Sequence, residues 1–431
     1  MELGEEQDEV GQSELHDAAL QGDIVKSQEV LGRDPDTINS LNHHGEAPIH
    51  IAAKRGYSNV ICILIKNRVD IDRLTLQRET PLHLAVRGHL DCVRLLLDAG
   101  CAVDLPDLHG NLPIHIACRF ENPDRLDIVK ALITQNLSST TARDGQAFTP
   151  LHHLAVRQFD GDIYGEFLAV FIDAGADLDA VDDQGITPVL VAARHNNLEG
   201  MKHLVAAGAR IDKFSHHVGN ILHITAEFIG FRVMDYLCTL DLSALHDFHL
   251  VVNEDGETPW DCWRDCMTCD EIWLSAPLRR TSKRDARAFV RLFRKVRDQS
   301  LQRDIDTLVS ILGPLRDKRT EAAMARLRPL IQRKELRGLD QQAETFRVVG
   351  IQIQQGMWEA AMESVEENIE VFREEMERSP WEIQSKRDMW PDRIDYSDAR
   401  QYHGKESEEY PGEDIDDCRP SSPDPSPHFS L

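Results

Sequence analysis

No run of apolar residues in this sequence is long enough to cross a bilayer, and its acidic start, "MELGEEQDEV", has neither the basic nor the apolar segment of a secretory signal. Both absences predict an intracellular protein, cytoplasmic first and nuclear second. Positive charge is the minority sign, with 48 Lys and Arg against 74 Asp and Glu, and the net charge of -26 repels phosphate backbones. Nucleic acid is therefore not an expected partner. Nine cysteines, an odd number scattered without a secretory signal, do not make a disulfide framework and fit a reducing compartment. A Walker loop, an H-E-x-x-H pair and a G-x-S-x-G elbow are all missing, so no catalytic residue, cofactor or small-molecule substrate is predicted. What the 431 residues do contain is a period.

Tetrapeptides recur as "APIH" at 47–50, "TPLH" at 80–83, "LPIH" at 112–115, "TPLH" at 149–152 and "TPVL" at 187–190, with weaker copies at 13–16, 220–223 and 258–261. Each is a helix start. Thr80, Thr149, Thr187 and Thr258 supply capping oxygens, and the proline that follows sits where a missing N–H costs nothing. Small residues come next (Ala52, Ala53, Ala85, Ala117, Ala192, Ala193) and allow neighbouring helices to approach closely. Gly100, Gly175 and Gly208 close a second, apolar helix. Gly45, Gly110, Gly185 and Gly256, preceded by Asn42, Asp107, Asp182 and Asn253, carry the turn chemistry of a hairpin-like finger, and Arg78 breaks this slot in one repeat. The steps of 32 to 38 residues and these phased slots resemble the ankyrin repeat. The resemblance implies an all-α solenoid with short hairpin fingers over residues 13–275, about seven repeats with a degenerate last one. Insertions at "TQNLSSTTARDGQAF" and "RQFDGDIYGEF" are expected to be long loops.

Six histidines (His16, His50, His83, His115, His152, His223) fill the fourth slot of the tetrapeptide, each in a different unit. The family uses this residue to hydrogen-bond between neighbouring helix starts, and the resemblance implies that role rather than metal binding. Six residues after the proline slot stand Lys54, Arg87, Arg119 and Arg194, with Arg157 one place further along. Stacking sets equivalent residues side by side, so these cations form a stripe on the first-helix, concave face of a segment whose residues 1–278 hold 44 acidic and 21 basic side chains. Such a stripe fits an acidic protein or peptide partner, with Arg55, Phe120 and His195 beside it as anchors. The finger tips His43, His44, Gln77, Leu108, His109 and Gln184 complete the expected binding surface. A helix-terminal cation is also favourable in itself, by about 0.3 to 1 kcal/mol. The protein is expected to be a monomeric, non-enzymatic adaptor or scaffold.

Cys262, Cys266 and Cys269 spell C-x3-C-x2-C, a pattern used by radical enzymes for an iron–sulfur cluster. In repeat register they fall at i, i+4 and i+7 of a helix begun by Pro259, a core stripe that residues 279–312 are expected to bury. The competing use is a metal site completed by His246, His249 or Cys238. After Leu278 the period is lost. Residues 279–303 hold ten Lys or Arg and two Asp, with Phe289, Leu292, Phe293 and Val296 at helical spacing. This basic helix is expected to dock on the repeats and cap them; binding of an acidic membrane surface or nucleic acid, or nuclear import through "RRTSKR", are the alternatives. An apolar seam at Leu301, Ile305, Leu308 and Leu312 is expected to end at Gly313-Pro314, followed by a helical bundle within 279–378. Its look is similar to helical tails attached to ankyrin arrays of filamentous fungi. Residues 1–12 and the acidic, proline-containing 382–431 are expected to be disordered.

Overall fold

The computed structural model describes residues 12–380, apart from 159–160, 216, 229 and 269–282. The predicted disorder of nearly all of both ends, Cys269 and the first four residues of the import motif lie outside these residues. Helices come in pairs: α1 (Glu14–Gln21) and α2 (Ile24–Arg33), α3 (Pro48–Arg55) and α4 (Ser58–Lys66), α5 (Pro81–Ala85) and α6 (Leu90–Asp98), α7 (Pro113–Arg119) and α8 (Arg125–Gln135). Then follow α9 (Pro150–Val156) and α10 (Gly161–Asp173), α11 (Pro188–Arg194) and α12 (Leu198–Ala206), α13 (Ile221–Phe228) and α14 (Phe231–Thr239). Among the described residues no strand forms; one isolated bridge pairs Ser215 with Gly219. The first helices stack on one another from repeat to repeat, the row that an ankyrin solenoid carries on its inner side. Their small residues lie at the contacts between repeats, and Ala52, Ala53, Ala85, Ala117, Ala192 and Ala193 are fully buried.

The histidine slot stitches one repeat to the next. In each of the six, Nδ1 accepts the backbone N–H of the capping residue, at 2.9 to 3.1 Å. That fixes the proton on Nε2, which donates to a carbonyl in the following repeat: Glu46, Arg73, Asn111, Ala142, Ile186 and Glu257, at 2.8 to 3.1 Å. At α15 (Pro259–Thr268) Asp261 takes the slot. Its carboxylate accepts the backbone N–H and the hydroxyl of Thr258 at 3.0 and 2.6 Å.

The fingers are Asx turns. Asn42, Asp107, Asp144 and Asp182 each accept two backbone N–H groups of their own finger through Oδ1, as with His44 and Glu46 on Asn42. The fourth finger residue has positive φ and is usually glycine, but Arg78 and Ala147 stand there at φ 60°. The sequence pattern reveals the first and conceals the second, because "DGQA" carries its glycine two places early. That glycine is needed for a close approach instead. Gly145 N donates to His109 O at 2.9 Å, and a Cβ at Gly145 would lie 2.4 Å from the same oxygen. A left-handed non-glycine residue costs about 1–2 kcal/mol, partly offset by the chain entropy a glycine loses on folding. Ala147→Gly is therefore expected to raise stability by roughly 0.5–1 kcal/mol, visible as a higher urea midpoint. An unchanged or lower midpoint would contradict the strain at this finger.

The two insertions are not long loops. The first is the end of α8, a 3-10 turn at Leu137–Thr141 and a regular finger, and most of the second is the start of α10. In the second, Ile163, Tyr164 and Phe167 sit at helical spacing, which local helix formation satisfies.

The C-terminal helices are α16 (Lys283–Arg316), α17 (Thr320–Leu336), α18 (Asp340–Gln354) and α19 (Trp358–Glu377). By contacts, α15 stacks on α13 and α16 stacks on α14, so α16 takes the place of the second helix of an eighth unit. The same 34-residue helix, about 50 Å long, then packs on α17 and α19. It does not stop at Gly313-Pro314. Proline removes the donor that would reach Ser310 O, and the guanidinium of Arg326 on α17 supplies that hydrogen bond instead. The bundle core joins Leu301, Ile305, Leu308, Ile311 and Leu315 to Leu327, Phe346, Val365 and Phe372.

Candidate protein-interaction surface

The predicted finger-tip residues His43, His44, Gln77, Leu108, His109 and Gln184 are all exposed, and the two histidine rings lie 3.8 Å apart. From the second finger to the fifth, the backbones are tied one to the next. Leu108 N donates to Gln77 O at 2.9 Å, Gly145 N to His109 O at 2.9 Å, and Asp183 N to Gln146 O at 3.2 Å. The tips therefore present side chains from a backbone already fixed, with little ordering left to be lost on binding. Leu76, 68% exposed beside Gln77, is a tip residue that sequence reasoning passed over; Leu108 is 57% exposed.

The predicted cation row stands at the ends of the inner helices, and Lys54, Arg55, Arg119, Arg157, Arg194 and His195 are exposed. It is partly neutralised by the fingers. Lys54 Nζ lies 3.1 Å from Glu46, and Arg87 pairs with Glu79. Burial resists the charge on Glu46, but the hydrogen bond and the charge of Lys54 help bring its pKa below the usual carboxylate range. Both acids occupy one repeat position, just before the capping residue, so the recurrence of glutamate there was the signal for this pairing. Arg87 and Arg119 share another neighbour, with guanidinium carbons 5.2 and 5.7 Å from the ring centre of Phe120. Gln158 reaches the carbonyls of His195 and Asn196 at 3.5 and 3.2 Å.

Of the array cysteines, Cys262 points elsewhere than predicted and Cys266 is half-buried. Cys262 is buried, but its thiol faces Glu257 Oε2 at 3.4 Å and Asn253 Nδ2 at 3.6 Å rather than α16. Burial first, then Glu227 and Glu257, push its pKa up, which opposes the thiolate a metal requires. The face turned to α16 is aromatic: Trp260 lies 5.0 Å from Phe293, and Trp263 stacks on Phe289 at 5.2 Å. Spacing alone showed a stripe without showing which neighbour each stripe meets.

The basic helix docks. Asp285 accepts the N–H of Phe231 at the first turn of α14, and Lys295 donates to the carbonyls of Cys238 and Leu240 at its end, at 2.6 and 2.8 Å. An acid thus meets the N-terminus and a cation the C-terminus of one helix dipole. Arg291 pairs with Asp235 at 2.7 Å, Arg303 reaches Ser243 O at 3.3 Å, and buried Arg297 donates to the carbonyls of Arg378 and Met376. Many of the cations offered to a membrane or nucleic acid in the alternative reading are spent inside the protein.

Among the described residues one group of possible metal ligands converges, His246, Asp247 and Asp304. A cation of the protein already fills it: Lys334 Nζ lies 2.6 Å from Asp247 and 2.6 Å from Asp304, while Arg333 pairs with Asp304 and His246 Nε2 sits 3.0 Å from it. His246 is thereby committed to a carboxylate rather than to the cysteines.

A family model of ankyrin repeats in three copies matches residues 15–107 and 114–215, and a second ankyrin-repeat model matches 84–133. The matched stretches are ankyrin repeats. It is 29% identical over 206 residues to the B-cell lymphoma 3 protein homolog of Mus musculus, covering 46% of this chain and 45% of that one. It is also 29% identical over 203 residues to the ankyrin repeat protein nuc-2 of Neurospora crassa, covering 45% of this chain and 18% of the other. The chain thus spans less than half the length of these relatives. The solved ankyrin repeat domain of Bcl-3 aligns with a TM-score of 0.44 at 21% identity, over 53% of this chain and all of that one. Ankyrin repeats serve protein binding in general and are not catalytic modules as a class.

Proposed function

We propose that this chain is an intracellular, non-enzymatic adaptor that binds a protein segment on its finger tips and inner-helix row. The array is read as residues 13–275 and the helical domain as 279–378. The observation that carries the reading is the run of exposed tip side chains on fingers whose backbones are bonded to one another. Such a surface is built for recognition by shape, because few rotors and no loops must freeze when a partner arrives.

The test uses the full chain as bait, because removal of residues after 275 would strip α16 from Trp260 and Trp263. Changing Arg87, Arg119 and Arg194 together to Glu is expected to weaken partner retention at least tenfold while thermal unfolding shifts by only a few degrees. Affinity unaltered by the triple change would sink the role of the row.

A further inference from the structure

We infer that the turn joining α7 to α8 is an anion-receiving subsite, and that it takes an acidic protein segment carrying an aromatic or branched aliphatic side chain beside its carboxylates. This rests on the protein-binding reading and narrows it to one place and one chemistry.

Five residues separate α7 from α8, where two separate α3 from α4 and four separate α5 from α6, so this fourth turn is enlarged. The enlargement displays Phe120, half-buried, between Arg87 of the preceding repeat and Arg119 of its own. A guanidinium lying over a ring keeps the N–H donors on its edge, and that edge matches a carboxylate with two parallel hydrogen bonds. The ring at the same time offers an apolar surface to a side chain next to that carboxylate. More positive charge lies around the turn. Arg125 is buried with its guanidinium 5.1 Å from the Phe167 ring centre, and Arg157 is close enough to help burial lower its pKa to about 10. The acids in reach are Glu79, which holds Arg87, Glu121, which supports Arg125, and Asp124, exposed at the end of the turn.

An independent sign comes from unmet hydrogen bonds. Among the described residues, Arg87 Nε and both side-chain amide atoms of Asn122 are buried with no partner. Buried polar groups left unpaired cost about 1–3 kcal/mol each, so these two side chains gain from a partner whose binding opens the turn enough to reach them. Because the array around it is strongly acidic, this cluster of cations is also where an acidic segment meets least repulsion.

The probe is a fluorescein-labelled peptide, Asp-Glu-Asp-Phe-Glu-Asp-Glu, titrated with the full chain and followed by anisotropy. Saturable binding is expected. It should weaken at least tenfold with Arg119→Gln, with Phe120→Ser, and when the acids of the peptide become Asn and Gln. Arg94→Glu, an exposed change on α6, should leave it within twofold. Absence of saturable binding overturns the subsite, as does an equal loss with Arg94→Glu, which would mean charge alone. Should the peptide fail while partner retention still responds to the triple Glu variant, the subsite falls and the broader reading survives. Melting curves followed by circular dichroism verify that Arg119→Gln and Phe120→Ser are folded.

Discussion

Lys334→Met is expected to cost about 3–5 kcal/mol of stability, read as a lower urea midpoint. The ammonium lies 2.6 Å from each of two buried carboxylates, Asp247 and Asp304, both 1% exposed. Removing it leaves two negative charges in a low-dielectric site with Arg333 and His246 as their remaining partners. The pair itself is not the source of that cost. Taking charges out of water offsets most of what their attraction returns, so the penalty comes from the stranded partners. It follows that Asp247→Asn and Asp304→Asn, added to Lys334→Met, should restore much of the loss. A single variant within about 1 kcal/mol of the parent would contradict this account. So would a triple variant less stable than the single one.

Acid should loosen the array well before its carboxylates titrate. Burial, the leading cause, lowers the pKa of all six stitching histidines, and to about 4 for His115, His152 and His223. In the unfolded chain they titrate near 6.5. Between about 6.5 and 4 the unfolded state therefore binds protons that the native state refuses, and stability rises with pH across that window. Each such histidine contributes a slope of about 1.4 kcal/mol per pH unit. Glu227, Glu257 and Asp182, whose pKa burial raises, work against the trend in its lower part. The expected result is a urea midpoint falling steadily from pH 7 to pH 5. His152→Leu should flatten that slope by about one proton while lowering stability at pH 7. A midpoint constant from pH 7 to pH 5 would show that these rings are not neutral in the fold.

The array was legible because its determinants are local and repeated. Proline, threonine, histidine and glycine each act within five residues of a helix start, and eight copies set the phase. Asp144 joined the finger pattern only in the structure, because its glycine is displaced. The surface was half legible: its exposed positions follow from the register, but Glu46 and Glu79 show their effect only once side chains bend back to the finger. The ionic cluster was not legible at all, since Lys334 meets Asp247 across 87 residues. Nor was the path of α16 through Pro314, which depends on an arginine from another helix.

The slot at Asp261 has a consequence for how such a chain can be lengthened. A histidine there would hold an N–H toward the next finger, as His223 does toward Glu257. Asp261 can accept but not offer, and a finger placed after it would set a carbonyl against a carboxylate, two acceptors with no hydrogen between them. An added repeat can be spliced in upstream of residue 253 and find its join waiting. Downstream of α15 it cannot, so one residue type fixes which end of the protein is free to grow.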